Sequence, residues 1–142
     1  MMKNLIAITL LFLAYGLLSE AQDYLRAKFL SLDQAQKKWG IAAFDPLAFQ
    51  KGNEKVRAAM AVDVLKNEKK YVGLAIPKIR ELFGDPDGYF WSDTILAYQI
   101  QYYKDDNKES WQIVFIPDAE LKKILSVKVH KKCCYQSTKL VN

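Results

Sequence analysis

Residues 84–93, GDPDGYFWSD, lie where the pattern of the sequence changes. Before them, apolar residues recur every three or four positions, as on one face of a helix; after them, apolar and polar residues alternate, as on a strand. Gly84 and Pro86 are typical of a helix end, and Asp87-Gly88 is typical of a turn. The stretch therefore predicts a chain with helices first and strands afterwards, and its Tyr-Phe-Trp run would open the sheet.

The spacing of apolar residues upstream predicts three helices, which span residues 23–39, 53–67 and 76–83. Gly40 stops the first helix, and Asn53 is a suitable N-cap for the second. Gly84 is expected to close the third in the left-handed conformation. The stretch 41–52 between the first two helices contains Pro46 and is predicted to be an irregular connector.

Alternation downstream predicts three strands, at residues 91–103, 111–116 and 121–130. A polar hairpin loop at 104–110 joins the first two. On alternation alone, Val127 and Val129 face the core, and Lys128 and His130 then face outward. The predicted fold class is α+β, with N-terminal helices packed on one face of a three- to four-stranded antiparallel meander sheet.

The first 21 residues have the pattern of a secretory signal peptide. The basic Lys3 precedes an apolar run of ~14 residues, whereas a membrane span needs roughly 20. Ser19 and Ala21 supply the small residues expected before cleavage at Gln22. A membrane anchor is the alternative. We therefore expect a periplasmic or secreted protein without a transmembrane span after cleavage, divided into a signal peptide at 1–21, an N-terminal helix and connector at 22–52, an α+β domain at 53–135 and a loose tail at 136–142.

Lysine and arginine exceed aspartate and glutamate by five, 21 against 16, and losing Lys3 and Glu20 with the signal peptide leaves that excess unchanged. An exported protein rarely meets nucleic acid, so the expected partner is an envelope protein or an anionic envelope component such as a lipid or glycan. Because acids are interleaved among the lysines, a solvated surface of mixed sign is the alternative. Basic pairs occur at Lys37-Lys38, Lys69-Lys70, Lys122-Lys123 and Lys131-Lys132.

The only two cysteines, Cys133 and Cys134, are neighbours in the sequence. In an oxidising compartment they cannot close an ordinary loop with each other. Three arrangements stay open: a strained vicinal disulfide, bridges to another chain, or two thiols of which one is buried.

The acids within residues 84–93 invite comparison with a calcium-binding loop. Asp85 and Asp87 take positions 1 and 3 of an EF-hand, but position 12 is Leu96, so the bidentate glutamate is missing. An irregular site formed by Asp85, Asp87 and Asp93 is the alternative. The sequence predicts no metal and no other cofactor.

The single histidine, His130, is the natural candidate for a catalytic base. Cys134 lies four residues further on, which on a straight strand is ~13 Å and beyond hydrogen-bond reach. No nucleophile elbow, zinc-protease or phosphate-binding motif occurs. We therefore predict that the protein is not an enzyme and has no catalytic residue.

Aromatic residues crowd the predicted sheet, and alternation cannot bury all of them. Rings left at the surface beside basic residues would form a contact patch of the kind that protein interfaces favour, although burial in the core is the alternative for each ring. The candidate binding residues are Tyr98, Tyr102, Tyr103, Trp111, Lys128, His130 and Lys131.

The stretch GLAIPKIRELFGDP, at 73–86, resembles the repeated signature of the small outer-membrane assembly lipoprotein family (SmpA/OmlA, or BamE-like): a glycine, a short helix, then Leu-Gly-x-Pro. Phe83 replaces the usual leucine, Ala75 replaces the usual cap, and the lipid-accepting cysteine is absent. The positions that carry the resemblance are Gly73, Ile79, Gly84 and Pro86. The resemblance covers about residues 54–131. It implies two helices against a three-stranded antiparallel sheet, also similar to the domains of β-lactamase inhibitory proteins, and non-enzymatic binding at the envelope.

The sequence therefore predicts an exported, non-enzymatic binding module of the bacterial cell envelope. It would recognise a protein or another envelope component through its sheet face and adjacent loops. The alternative is an inhibitor of a periplasmic or extracellular enzyme that uses an exposed loop such as 104–110.

Overall fold

The computed structural model of the chain describes residues 29–102 and 109–132. In these ranges four α-helices pack against a four-stranded antiparallel sheet, which confirms the predicted α+β fold. The elements, in chain order, are β1 (Phe29–Leu30), α1 (Leu32–Trp39), α2 (Pro46–Lys51), α3 (Glu54–Lys66), a 3-10 turn (Glu68–Lys70), α4 (Ile76–Phe83), β2 (Leu96–Gln101), β3 (Ser110–Pro117) and β4 (Ile124–Lys132).

The strands follow the order β1-β4-β3-β2, and every neighbouring pair is antiparallel. β2, β3 and β4 therefore form the predicted meander. β1 adds a short fourth strand beside β4, where Phe29 pairs with His130 and Leu30 pairs with Val129.

Helix α1 begins later than predicted because Ser31 caps it. The Ser31 hydroxyl accepts from the N–H of Gln34 at 3.2 Å, while the Gln34 side chain accepts from the N–H of Ser31 at 3.0 Å. This capping box sets the start of the helix at Leu32. The prediction of helix at residues 29–31 is therefore wrong, and residues 23–28 of that helix lie outside the described ranges.

A second correction concerns the stretch 41–52, predicted to be irregular, because it contains helix α2. Asp45 caps this helix, since its carboxylate accepts from the N–H of Ala48 at 2.7 Å. Pro46 takes the first helical position, where its missing N–H is not needed. The proline thus starts a helix here instead of preventing one.

Helices α3 and α4 agree with the prediction. The Asn53 side chain caps α3 by accepting from the N–H groups of Lys55 and Val56. Gly84 follows α4 with a φ of 83°, as expected for glycine at a helix end. Its ψ of −164°, however, differs from that of the left-handed helical conformation.

The helices cover one face of the sheet, and aromatic rings fill the space between them. Phe83, at the end of α4, has its ring centroid 4.5 Å from that of Phe44 and 5.1 Å from that of Phe49. Tyr98 of β2 is fully buried in the same core, and its hydroxyl donates to the Gly84 carbonyl at 2.9 Å. Because Phe49 belongs to α2, the N-terminal segment shares one core with the sheet.

Gly73 and Ile79, two of the positions that carry the resemblance, have clear structural roles. Gly73 has a φ of 86°, which suits glycine, and its N–H donates to the Ile124 carbonyl at 2.8 Å. Ile79, within α4, is fully buried in the core. Pro86 is half-buried in the loop that follows Gly84.

The other face of the sheet is covered by that loop, residues 84–95. Phe90 packs there with Ala97 and Val114, and all three are buried. Gly88 lies so close to the sheet that a Cβ atom on it would be 2.6 Å from Oε1 of Gln112. The stretch that ends the helices therefore also forms the second layer against the sheet.

The same loop covers the outer edge of β2. The Gly88 N–H donates to the Ala97 carbonyl at 2.9 Å, and the Asp87 carboxylate accepts from the N–H of Gln99 at 2.8 Å. Arg57 of α3 donates to the Gln99 carbonyl at 3.2 Å and forms an ion pair with Asp87 at 2.6 Å. Backbone groups that β2 turns outward are thus paired along this part of its edge.

The described helices include none that is both long enough and apolar enough to cross a bilayer. The predicted signal peptide (1–21) and tail (136–142) lie outside the described ranges. β2 begins at Leu96 and not at Trp91 as predicted, because the residues before it form turns.

Candidate binding surface

The residues predicted to bind a partner do not form one surface. Tyr98 and Trp111 are buried, with 0% and 3% of their surface exposed. Both lie on the helix-covered face, because alternation along β2 and β3 places them with the core residues. Their prediction as contact residues is therefore wrong. Tyr103, Cys133 and Cys134 lie outside the described residues.

His130 points away from the helix-covered face, as alternation predicts, but it is not an open contact residue. Its ring centroid lies 4.7 Å from that of Phe90 and 5.7 Å from that of Phe29. The loop 84–95 and strand β1 thus cover this part of the face and leave the imidazole half-buried. Its role as a binding residue stays a prediction.

A buried glutamine holds this histidine in one protonation state. Nε2 of Gln112 donates to the Tyr89 carbonyl at 2.6 Å, and its Oε1 accepts from the Tyr89 N–H at 3.1 Å, which fixes the orientation of the amide. The same Nε2 lies 3.2 Å from Nδ1 of His130. Because the amide nitrogen can only donate, Nδ1 accepts and the imidazole is neutral. Burial lowers the pKa of His130 to about 4.

The two predicted lysines lie on opposite faces of the sheet. Lys128 is half-buried and points to the same side as His130. Lys131 is directly opposite Trp111 across the β3–β4 pair, so it points to the helix side. Its ammonium pairs with the Glu109 carboxylate at 2.5 Å.

Aromatic rings and lysines come together at one end of the sheet, where β2 ends, β3 begins and β4 ends. Tyr102 follows directly after β2 and is exposed. We name this surface the aromatic end; its residues are Lys38, Trp39, Tyr102, Lys131 and Lys132. Trp111 lies beneath it and is buried.

Helix α1 places Trp39 over this end. Gly40 has a φ of 72° and stops the helix directly after the tryptophan. The Trp39 indole N–H donates to Oε1 of Gln101 at 3.2 Å, and its ring meets Trp111 edge-on with centroids 5.8 Å apart. The half-buried Trp39 therefore covers Trp111 and is tied to the last residue of β2.

Two lysines lie over the aromatic faces. The ammonium of Lys38 is 5.7 Å from the Trp39 ring centroid and 5.8 Å from that of Trp111. On the other side of the sheet end, the Lys132 ammonium is 5.7 Å from the ring centroid of Tyr102, which is 39% exposed. These are cation–π distances, so the rings hold positive charge at the surface.

The Trp111 indole N–H is buried and has no acceptor among the described residues. A buried donor without an acceptor costs about 1–3 kcal/mol. Among the described residues, it is packing that holds this ring beneath Trp39.

The acids of the 84–93 stretch do not converge on one point. Asp87 is engaged by Arg57 and by the backbone of Gln99, whereas Asp85 lies 3.6 Å from Arg80. Within residues 29–102 and 109–132, no group of three possible metal ligands occurs. The irregular site of Asp85, Asp87 and Asp93 therefore has no support from the geometry.

Sequence reasoning missed Lys38, Trp39 and Lys132 as members of the aromatic end. In the sequence, Trp39 falls on an apolar helix stripe, which predicts burial in the core. The pairs Lys37-Lys38 and Lys131-Lys132 have the pattern of ordinary solvent-exposed charged residues. Only the sheet order brings these residues beside Tyr102.

The chain matches no protein-family model, and neither a curated protein nor a solved structure is detectably similar to it. The resemblance to the outer-membrane assembly lipoproteins therefore stays a prediction. So do the envelope location and the binding role that it implies.

Proposed function

We propose that the protein is an exported, non-enzymatic binding module of the bacterial cell envelope that recognises an acidic partner protein through its aromatic end. The observation that carries this proposal is the exposed Tyr102 with the Lys132 ammonium over its ring. It lies at the same end of the sheet as the half-buried Trp39, which Lys38 covers.

The composition of the aromatic end suits a protein partner. Tyrosine and tryptophan are enriched in protein interfaces, because they supply a large amphipathic contact area with few rotatable bonds. Lysines at the rim speed association with an acidic surface and select against a basic one. The excess of five basic residues in the chain favours the same kind of partner.

Export is supported by the signal-type pattern of residues 1–21, and a non-enzymatic role by the state of the histidine. His130 is packed between Phe29 and Phe90, and its Nδ1 accepts from Gln112. It thus stabilises the fold instead of facing a substrate. N-terminal sequencing of the mature chain would begin at Gln22, and a chain that keeps residues 1–21 in the envelope would contradict cleavage.

Site-specific photocrosslinking in cells tests the binding surface. A photoreactive phenylalanine analogue replaces Tyr102 in one variant, and in a matched control it replaces Leu47 of α2, which is 65% exposed. We expect position 102 to give a discrete protein adduct that position 47 does not give. Equal labelling of the same proteins from both positions would contradict the proposal.

Substitution of the lysines provides a second test. In the position-102 variant, Lys38→Glu combined with Lys132→Glu should lower the adduct yield roughly tenfold or more, because an acidic partner is then repelled. Lys51→Glu and Lys55→Glu, on α2 and α3, serve as the charge-matched control and should leave the yield unchanged. If the adduct contains an envelope enzyme that the protein inhibits when purified, the inhibitor alternative replaces a structural binding role.

A further inference from the structure

A second surface lies at the opposite end of the sheet. The hairpin between β3 and β4 meets the turn before α4 there: the Ile124 N–H donates to the Leu74 carbonyl at 2.9 Å, and the Ile76 N–H donates to the Lys122 carbonyl at 3.2 Å. These bonds join residues 69–76 and 118–125 into one unit. We name this unit the basic tip.

Three aliphatic side chains are exposed at the basic tip. Val72, Leu121 and Leu125 have 42%, 48% and 58% of their surface exposed. Leu125 is the extra residue of a β-bulge, because Ser126 pairs with Ile116 and Ile124 pairs with Pro117. The bulge leaves Leu125 outside the core packing of β4.

The exposed Leu121 has a backbone conformation that is energetically unfavourable for a leucine. Its φ is 56°, in the region that favours glycine and is unusual for a bulky residue. The turn around it is fixed, since the Leu121 N–H donates to the Asp118 carbonyl at 3.0 Å and the Asp118 carboxylate accepts from the Lys122 N–H at 2.8 Å. This hydrogen bond also lowers the pKa of Asp118. A rigid turn thus presents an apolar side chain to solvent.

Lysines surround the aliphatic side chains. The exposed lysines of the basic tip are Lys69, Lys70, Lys122 and Lys123. Among the described residues, only Lys122 of these four forms an ion pair, with Glu120 at 2.9 Å. The other acid of the basic tip, Asp118, accepts from the N–H groups of Lys122 and Lys123, and the neighbouring Glu68 accepts from the Val127 N–H. Lys69, Lys70 and Lys123 are thus exposed and form no ion pair with a described residue.

This composition distinguishes a membrane from a protein partner. Protein interfaces are enriched in aromatic residues, whereas the exposed apolar side chains of the basic tip, Val72, Leu121 and Leu125, are all aliphatic. The basic tip combines lysines with leucine and valine, as surfaces that lie in the headgroup region do: aliphatic side chains enter the acyl boundary while ammonium groups contact anionic headgroups. We propose that the basic tip docks on the surface of an anionic phospholipid bilayer.

The two surfaces have different positions and different chemistry. The aromatic end lies where β3 begins, at Ser110 paired with Lys132, and the basic tip lies where β3 ends, at Pro117 paired with Ile124. The length of this eight-residue strand separates the two surfaces by ~24 Å. Docking at the basic tip leaves the aromatic end free. The protein would thus hold a partner at one end while its other end contacts the bilayer.

Vesicle co-sedimentation of the mature chain tests the proposal, with its N-terminus first established by sequencing. The vesicles contain phosphatidylcholine alone or an equimolar mixture with phosphatidylserine. We expect at least tenfold more binding to the anionic vesicles, and a decrease on addition of salt because headgroup attraction is screened.

Two variants separate the apolar and charged contributions. L121S combined with L125S keeps every lysine, and K69Q, K70Q and K123Q together keep every aliphatic side chain. Each should lower binding to anionic vesicles about tenfold or more. The matched control, L47S with K51Q on α2, should bind as the parent does. Circular dichroism verifies that all the variants fold.

Three results would overturn membrane docking. One is equal binding to neutral and anionic vesicles, and another is an equal loss of binding in the α2 control. The third is a sedimentation velocity that shows a dimer which L125S dissociates, since a second copy would then cover the tip. The photocrosslinks from position 102 are read independently, so failure of the vesicle test is distinguishable from failure of the proposed partner binding.

Discussion

The two faces of the sheet are built by different means. Beneath the helices, rings such as Phe83 and Phe49 pack in a continuous apolar core. On the other face, beneath the loop 84–95, a buried glutamine and a neutral histidine lie beside a few apolar side chains. The first face is stabilised mainly by apolar area removed from water. The second depends on particular hydrogen bonds, so single atoms matter more there.

The largest loss of stability should follow Phe83→Ala. The ring is 1% exposed, and its centroid lies 4.7 Å from that of Phe115 and 5.5 Å from that of Tyr98. Deleting it removes buried apolar surface and leaves a cavity, so the free energy of unfolding should fall by about 3–5 kcal/mol. Urea denaturation followed by circular dichroism measures this, and Val56→Ala, at a more exposed position, should change it by less than about 0.5 kcal/mol.

Gln112→Met should have the next largest effect. The substitution keeps the length of the side chain but removes the hydrogen bonds that the Gln112 amide makes with the N–H and C=O of Tyr89 and with Nδ1 of His130. The loss of these buried hydrogen bonds should lower the free energy of unfolding by about 1–3 kcal/mol. Gln36→Met, on the exposed side of α1, is the matched control. An unchanged stability in Gln112→Met would mean that apolar packing alone holds the loop face, and the contrast between the two faces would then fail.

The smallest effect at neutral pH, where it is zero, is a pH dependence of stability that belongs to the loop face alone. The unfolded His130 has a pKa near 6.5, and burial lowers the folded value to about 4. Between these values the unfolded state binds a proton that the folded state does not bind. The free energy of unfolding should therefore be unaffected above pH 6.5, fall as the pH falls towards 4, and level off below that. Because the ring is partly exposed, the slope should be below about 1.4 kcal/mol per pH unit.

His130→Asn removes this titration and retains a polar group beside Gln112. The difference in stability between parent and variant should change in the acidic range and stay constant at neutral pH. Carboxylates titrate in both proteins and cancel in the difference. A difference that is independent of pH would show that the folded and unfolded histidine bind protons alike.

The helix face is the part of the fold that sequence patterns predict well. Val127 and Val129 face the core as alternation predicts, and Asn53 caps α3, because both features depend on neighbours in the sequence. Ser31 shows the limit of periodicity: a local capping box overrides an apolar stripe that continues upstream. Pro46 likewise starts a helix where composition alone suggests a break.

The loop face and the aromatic end depend on contacts between distant residues. Gln112 looks like a solvated position in an alternating strand, and only the approach of Tyr89 makes it a buried one. Trp111 resembles any exposed interface tryptophan until Trp39 covers it. Neither contact leaves a periodic signal, because each joins segments that are many residues apart.

The pairing of Asp87, Gly88 and Arg57 along the edge of β2 bears on how the protein behaves at high concentration. An open strand edge is a template on which another chain can add, and such addition leads to aggregation. Here the loop and the guanidinium take the hydrogen bonds of Ala97 and Gln99 that an incoming strand would use. Beyond joining two layers, the stretch GDPDG therefore protects the chain against polymerising through this edge.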